Sequence, residues 1–136
     1  MQGKCRAIGV SNYLERHLRE ILDDPSGSRT APMLNQCEFS PVCQQHALRR
    51  FCAANGIAWM GHTPFGGRGA PLLRDGRLQQ SCRRLGKAPS QLVLAWYRHH
   101  RAVAIPKTQS DRRMRCGLQG PLLLCISKRT PPTCAT

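Results

Sequence analysis

The stretch Ala7-Ile8-Gly9-Val10-Ser11-Asn12 decides the fold prediction, because an apolar strand leads directly into two polar residues that precede a helix. Three further junctions of this kind follow, each with polar groups at the end of an apolar strand. They are Asn35-Gln36-Cys37-Glu38, His62-Thr63-Pro64-Phe65-Gly66 and Ile105-Pro106-Lys107-Thr108. Four such junctions in order predict one rim of a parallel α/β structure, which is where folds of this class bind ligands.

Strands and helices are predicted to alternate along most of the chain. The patterns place strands at 6–10, 32–39, 57–61 and 102–106, and helices at 13–23, 44–55, 78–85 and 90–98, with a short helix from Asp111. This alternation favours βαβ units and a parallel sheet. The strands at 6–10 and 102–106 are apolar enough to predict burial of both sheet faces. Asn12 is expected to cap the first helix, with Glu15 completing a capping-box pair.

The chain is predicted to form one domain followed by a tail. At 136 residues it is too short for a closed (β/α)8 barrel, which takes about 250 residues. We assign residues 3–117 to the α/β domain and 118–136 to an irregular tail, because the apolar clump at 122–126 has no helical spacing. The tail is either a terminus foreign to the fold, as an alternative exon or frameshift would leave, or an ordinary divergent tail.

The net charge of +14 is concentrated in the second half of the chain. Residues 1–60 carry 7 basic and 5 acidic groups, whereas residues 61–136 carry 14 basic and 2 acidic groups. This excess either attracts phosphates or is simply an arginine-rich surface. Nucleic-acid binding is disfavoured, because the basic residues are scattered, few aromatic residues lie among them and no recognition motif accompanies them.

The eight cysteines and the hydropathy give no sign of a metal site, of secretion or of a membrane span. No C-x-x-C motif or zinc-finger spacing occurs, and without an apolar signal segment at the start a disulfide framework is not expected. No apolar run approaches the roughly 20 residues that cross a membrane. The expected location is therefore the cytoplasm.

Six motifs, in matching order and spacing, resemble the aldo-keto reductase family. They are Gly3-Lys4-x-Arg6-Ala7-Ile8-Gly9-Val10-Ser11-Asn12, Asn35-Gln36-x-Glu38-x-x-Pro41, Phe51-Cys52-x-x-x-Gly56-Ile57, Thr63-Pro64-Phe65-Gly66, Gly86-Lys87-x-Pro89-x-Gln91-x-x-Leu94-x-Trp96 and Ile105-Pro106-Lys107-Thr108. The resemblance corresponds to the fifth to eighth βα units of that family. It implies a partial (β/α)8 TIM barrel of about four βα units, NADPH as cofactor and reduction of small-molecule carbonyl substrates by hydride transfer.

The resemblance also implies where the nicotinamide end of the cofactor lies. Ser11, Asn12 and Gln36 would hold the nicotinamide carboxamide, since an amide needs both donor and acceptor partners. The simpler alternative for Ser11 and Asn12 is a helix cap. His62 stands where the family usually has an aromatic residue stacked on the nicotinamide, and an imidazole can stack over a smaller area. The alternative for His62 is a structural or exposed histidine.

The phosphate end of the cofactor is implied by two further groups of residues. Thr63, Phe65 and Gly66 would line the pyrophosphate path, or else form only a Pro-Gly turn. Lys107, Thr108 and Arg113 match the site for the adenosine 2′-phosphate, which favours NADPH over NADH. Their alternative is a solvated basic helix start. Cys116 and Gly117 replace the Glu and Asn with which the family contacts adenine.

No catalytic residue is predicted, because no stretch resembles the family motifs that carry its Asp, Tyr, Lys and His. Those residues come from the first four strands of the family barrel. We therefore expect a truncated cofactor-binding half of an NADP-dependent oxidoreductase that is inactive alone. The alternative is a non-catalytic cofactor-binding or interaction module. It would dimerise or pair with a missing half-barrel, because half a barrel exposes two strand edges and an apolar inner face.

Overall fold

A single parallel sheet flanked by helices forms the part of the chain that the computed structural model describes, residues 4–27 and 30–119. Its strands lie side by side in chain order. The elements within these ranges are β1 (Gly9–Ser11), α1 (Glu15–Leu22), β2 (Leu34–Glu38), α2 (His46–Ala54), β3 (Ala58–His62), α3 (Gly76–Leu85), α4 (Pro89–His99), β4 (Val103–Ala104) and α5 (Asp111–Gln119), with a 3-10 turn at Pro71–Arg74. Helix α5 therefore includes the first two residues of the predicted tail, and the remainder of that tail lies outside the described residues.

The predicted parallel arrangement of strands is confirmed by the register of the sheet. Ser11 lies opposite Gln36, Gln36 opposite Met60, and Met60 opposite Val103. Because every strand runs in the same direction, the polar residues that end the strands meet at one edge of the sheet. None of the helices in the described ranges is long and apolar enough to cross a membrane.

The hydrophobic core lies between the helices and one face of the sheet. Burial alternates along β2 and β3, so that every second side chain points into this core. Its large buried side chains are Leu18, Phe39, Trp59, Val93 and Tyr97. The Tyr97 hydroxyl donates a hydrogen bond to the Phe39 carbonyl oxygen, which satisfies the one polar atom of this buried ring. The core thus joins α4 to the end of β2.

The opposite face of the sheet is largely uncovered, so the prediction that both faces are buried was wrong for the described residues. Val103 and Ile105, which lie on this face, are 49% and 40% exposed. The physical reason is the handedness of βαβ connections. Right-handed crossovers along strands that follow one another in order place all the connecting helices on the same side of the sheet. Additional polypeptide would be needed to cover this open face.

The predicted cap of α1 was also wrong. Asn12 has a left-handed backbone with φ of 59°. The helix begins three residues later, where the Leu14 backbone N–H donates to His17 Nδ1 over 3.2 Å. The Asn12 backbone N–H instead donates to the Gln36 carbonyl oxygen over 2.9 Å. Asn12 therefore belongs to the edge of the sheet and not to the helix.

Candidate functional site

The carboxyl ends of β1, β2 and β3 bring the first predicted site residues together. We call this group the rim cluster, and it consists of Ser11, Asn12, Gln36, His62 and Thr63. The Ser11 hydroxyl donates to the Gln36 carbonyl oxygen over 3.0 Å, the same oxygen that accepts from the Asn12 backbone. The Gln36 carbonyl oxygen on β2 therefore accepts two hydrogen bonds, from Ser11 and Asn12 at the end of β1. These bonds fix the ends of the two strands relative to each other.

A histidine connects the third strand to the first within the rim cluster. His62 Nδ1 lies 2.7 Å from the Thr63 hydroxyl, and His62 Nε2 lies 3.3 Å from the side-chain oxygen of Asn12. Thr63, like Asn12, has a left-handed backbone, with φ of 61°. Residues other than glycine adopt this conformation rarely, and such residues concentrate at functional sites. The backbone therefore turns sharply just after β1 and just after β3.

The Gln36 side chain is the most accessible amide on β2. It is half-buried, and its Nε2 lies 3.2 Å from the Met60 sulfur on the neighbouring strand. A thioether is a weak acceptor, so this N–H can be transferred to a better acceptor at small cost. The next amide along the strand, Asn35, is fully buried on the core side and donates to the Tyr13 carbonyl oxygen over 2.9 Å. Only Gln36 of the two is available to a ligand.

The second group of predicted residues lines a cavity of about 1040 Å³ between β4, α4 and α5. The predicted residues in its walls are Phe65, Lys107, Thr108 and Arg113. Arg98 and Arg101 also line it, and none of the described residues in its walls is acidic. The rest of the wall is largely apolar, including Leu94. Such a cavity suits an anionic group attached to an apolar or aromatic body.

Hydrogen bonds between residues two and three apart shape the turn that leads into α5, beside this basic cavity. The Ser110 backbone N–H donates to the Thr108 hydroxyl over 3.2 Å, and the Arg113 backbone N–H donates to the Ser110 hydroxyl over 3.4 Å. These bonds fix the turn that carries Thr108 and Arg113. The Lys107 and Arg113 side chains are themselves exposed, so their charged ends can reach an anion.

The glycine-rich loop after β3 connects the rim cluster to the basic cavity. Gly66 has φ of 85°, and its N–H donates to the Thr63 carbonyl oxygen over 3.1 Å. The Phe65 carbonyl oxygen accepts from the Leu72 backbone over 3.2 Å, which holds the loop against the 3-10 turn. All the site residues predicted from sequence thus fall in the rim cluster, in the basic cavity or in the loop between them.

Sequence reasoning missed Arg98 and Arg101, which are walls of the basic cavity. They lie at and just after the end of α4, where nothing in the local sequence distinguishes them from exposed basic residues. Their place in the cavity depends on how α4 packs beside β4, and this packing joins distant parts of the chain. Met60, the partner of the Gln36 amide, was missed for the same reason.

A family model described as the aldo/keto reductase family matches residues 1–116. The chain belongs to the aldo/keto reductase family. It is 38% identical over 112 residues to glyoxal reductase of Bacillus subtilis, a match that covers 82% of this chain and 39% of that protein. It is 32% identical over 112 residues to aldehyde reductase YPR1 of Saccharomyces cerevisiae, covering 82% of this chain and 36% of that protein.

Solved aldo/keto reductase structures confirm the predicted partial barrel. A mutant of Gox0644 in complex with NADPH matches with a TM-score of 0.74 and 33% identity, covering 82% of this chain and 40% of that chain. An aldo-keto reductase from a deep-sea metagenome library, MGS-M4, matches with a TM-score of 0.79 and 27% identity, covering 87% of this chain and 43% of that chain. This aldo/keto reductase chain therefore spans about two fifths of the length of the proteins it matches.

Proposed function

We propose that this aldo/keto reductase chain is the cofactor-binding part of an NADPH-dependent oxidoreductase that reduces small carbonyl compounds in the cytoplasm. One observation carries the proposal: a glycine-rich loop joins the rim cluster, at the carboxyl ends of β1 to β3, to the basic cavity beside β4. Bound NADPH would supply the reducing equivalent for the carbonyl group. A similar structure, that of the Gox0644 mutant, was solved with NADPH.

The rim cluster fits the carboxamide of a nicotinamide. That group has one carbonyl acceptor and two N–H donors, so it needs partners of both kinds. Asn12 and Gln36 supply amides at the ends of adjacent strands, and Ser11 supplies a hydroxyl that the Gln36 carbonyl oxygen holds in place. We propose that these three side chains bind the carboxamide while the half-buried His62 ring packs against the nicotinamide face.

The basic cavity fits the phosphorylated end of NADPH. Lys107 and Arg113 bring two positive charges to its walls, and Thr108 brings a hydroxyl. A guanidinium can donate two parallel hydrogen bonds to one phosphate. Arg113 is therefore expected to contribute more than Lys107 to the preference for NADPH over NADH. We propose that Phe65 and Gly66 bind the pyrophosphate, because the loop that contains them connects the rim cluster to the basic cavity.

We further propose that the chain alone turns over carbonyl substrates very weakly or not at all. Reduction needs a group that gives a proton to the carbonyl oxygen. The buried Tyr97 is unsuited to this task, because its hydroxyl already donates to the Phe39 carbonyl oxygen and burial raises the pKa of the phenol far above its usual range. A second chain or segment that completes the barrel would have to bring the proton donor.

The cofactor proposal is tested by titrating the purified 136-residue chain with NADPH, using NADH as the control ligand. Arg113→Ala is expected to weaken NADPH binding about tenfold and to leave NADH binding unchanged, because it removes a charge-assisted bond of roughly 1.4 kcal/mol that only the 2′-phosphate accepts. Arg84→Ala, at an exposed position on α3, is the matched control. The assignment would be contradicted if Arg113→Ala weakened NADPH and NADH binding equally. It would also be contradicted if Arg113→Ala and Arg84→Ala weakened NADPH binding equally.

A second candidate function is that of an interaction module, which the open face of the sheet favours. Val103 and Ile105 are apolar and exposed there, and β1 and β4 are the outer strands of the sheet in the described ranges. Unpaired strand edges beside an apolar face favour association with another chain. We propose that this surface either pairs two copies or receives the rest of the barrel.

Light scattering on the chain with and without Ile105→Lys separates this candidate from a stable monomer. Self-association should be lost in Ile105→Lys and retained in Leu85→Lys, which introduces the same charge at a comparably exposed position on α3. A monomeric wild-type chain would eliminate pairing of two copies and leave a complementary partner as the occupant.

A further inference from the structure

The side chain of Asn12 is held by a chain of two hydrogen bonds that begins at Thr63 and passes through His62. His62 Nδ1 is 2.7 Å from the Thr63 hydroxyl, and His62 Nε2 is 3.3 Å from Asn12 Oδ1. We refer to these three residues as the rim relay. They come from two strand ends that are not adjacent in the sheet, since β2 lies between β1 and β3.

The chemistry of the end groups fixes the direction of the rim relay. Asn12 Oδ1 can only accept, so the hydrogen must be on His62 Nε2. In a neutral imidazole the other nitrogen is then an acceptor, and the Thr63 hydroxyl can rotate to donate to it. The relay therefore runs from the hydroxyl of Thr63 to Nδ1, and from Nε2–H to the oxygen of Asn12.

From this direction we infer that His62 is a positioning residue that orients the Asn12 amide, so that Asn12 presents its Nδ2 donors to the ligand. The backbone of Asn12 is independently fixed by its bond to the Gln36 carbonyl oxygen. With Oδ1 held by His62, the amide cannot turn over without breaking the relay. A ligand at this point must therefore offer an acceptor.

This inference deepens the proposed function and rests on it, because it adds a residue that orients Asn12 towards the nicotinamide carboxamide. Asn12 Nδ2 would donate to the acceptor of that group, and the contact of His62 Nε2 with Asn12 Oδ1 would hold the amide in this orientation.

Two substitutions of His62 separate positioning from stacking. His62→Gln keeps an N–H that can donate to Asn12 but gives up the aromatic ring, whereas His62→Phe keeps an aromatic ring and gives up both hydrogen bonds. If His62 orients Asn12, the Kd for NADPH should rise about tenfold in His62→Phe and stay within about threefold of wild type in His62→Gln. His99→Gln, at an exposed position on α4, is the matched control.

The opposite ranking of the Kd values would overturn the inference. If His62→Phe bound NADPH tightly and His62→Gln bound it weakly, the ring would act only by stacking. Equal losses in both variants would also overturn it, since the glutamine would have failed to rescue. A wild-type chain that binds no NADPH would count against the proposed function of the lone chain, and not against the relay.

The relay has a readout that needs no cofactor. Nitrogen-15 correlation spectra of histidine side chains distinguish the two imidazole tautomers, and the His62 signal is identified by its absence in His62→Gln. At pH 8, where an ordinary imidazole is neutral, the relay requires the hydrogen on Nε2. A hydrogen on Nδ1 in the free protein would refute the proposed direction of the relay, whatever the binding data show.

Discussion

Replacing Gly61 by alanine is expected to destabilise the protein strongly, because the Tyr97 ring occupies the space that a side chain at position 61 would need. Gly61 is a buried residue of β3 on the core side of the sheet. A β-carbon built on its backbone would lie 2.5 Å from both Cε1 and the hydroxyl oxygen of Tyr97, and 2.8 Å from Cβ of Phe39. Approaches shorter than 3.0 Å are essentially never observed for real β-carbons.

The magnitude follows from what would have to move. Tyr97 is 1% exposed and its hydroxyl is bonded to the Phe39 carbonyl oxygen, so displacing the ring disturbs the core and a buried hydrogen bond together. Overpacking of a core costs about 1–3 kcal/mol, and a disturbed buried hydrogen bond adds about 1 kcal/mol. We expect Gly61→Ala to lower the free energy of unfolding by about 3 kcal/mol, which for a domain of this size lowers the Tm by roughly 12 °C.

Urea denaturation followed by tryptophan fluorescence measures this change, because Trp59 and Trp96 both pack against the same cluster. Gly76→Ala is the matched control: it is the same substitution at the start of α3, with nothing within 4 Å of the added carbon. It should change the free energy of unfolding by less than about 0.5 kcal/mol. A Gly61→Ala variant as stable as this control would refute the packing described for Tyr97 and β3.

Two further predictions concern the buried Asn35 and the partly buried His100. Asn35→Ala should lower the free energy of unfolding by about 2 kcal/mol, because it removes the buried donor to the Tyr13 carbonyl oxygen; urea denaturation that shows no loss would contradict this contact. Burial, and then the Arg49 charge, lower the pKa of His100 to about 4 from its usual 6.5. The folded state therefore holds fewer protons than the unfolded state between these values, so the contribution of His100 to stability is complete above pH 6.5 and is lost as the pH falls towards 4. His100→Phe keeps a ring against Trp96 and should show a shallower loss of stability over this window in thermal melts at stepped pH; an unchanged pH profile would refute the assignment.

The sheet and most of the candidate site could be predicted from the sequence because their signals are local. A run of apolar residues that ends in polar ones, such as the segment that ends at Ser11, indicates both a strand and the position of its carboxyl end. The order of these junctions then places Gln36 and His62 at the same edge. Nothing beyond the chain direction of parallel strands is needed for that step.

The errors arose where the outcome depends on distant parts of the chain. Asn12 was expected to cap α1, but its backbone bond to the Gln36 carbonyl oxygen favours a left-handed conformation outside the helix. The burial of Tyr97 could not be predicted from its helix, since its hydroxyl needs the carbonyl oxygen of Phe39, 58 residues away. The open face of the sheet was not predicted, because apolar strands indicate that both faces are buried in the complete fold. They do not indicate whether the covering residues belong to the same chain.

The order of the strands has a consequence for how the chain acquires its structure during synthesis. Each strand pairs with the one made just before it, and the contacts of Ser11 with Gln36 and of Gln36 with Met60 span only 25 and 24 residues. Closing a loop of this length carries a smaller entropic penalty than pairing strands that lie further apart in sequence. The sheet can therefore grow by one βα unit at a time as the ribosome releases the chain, with each finished strand serving as the template for the next.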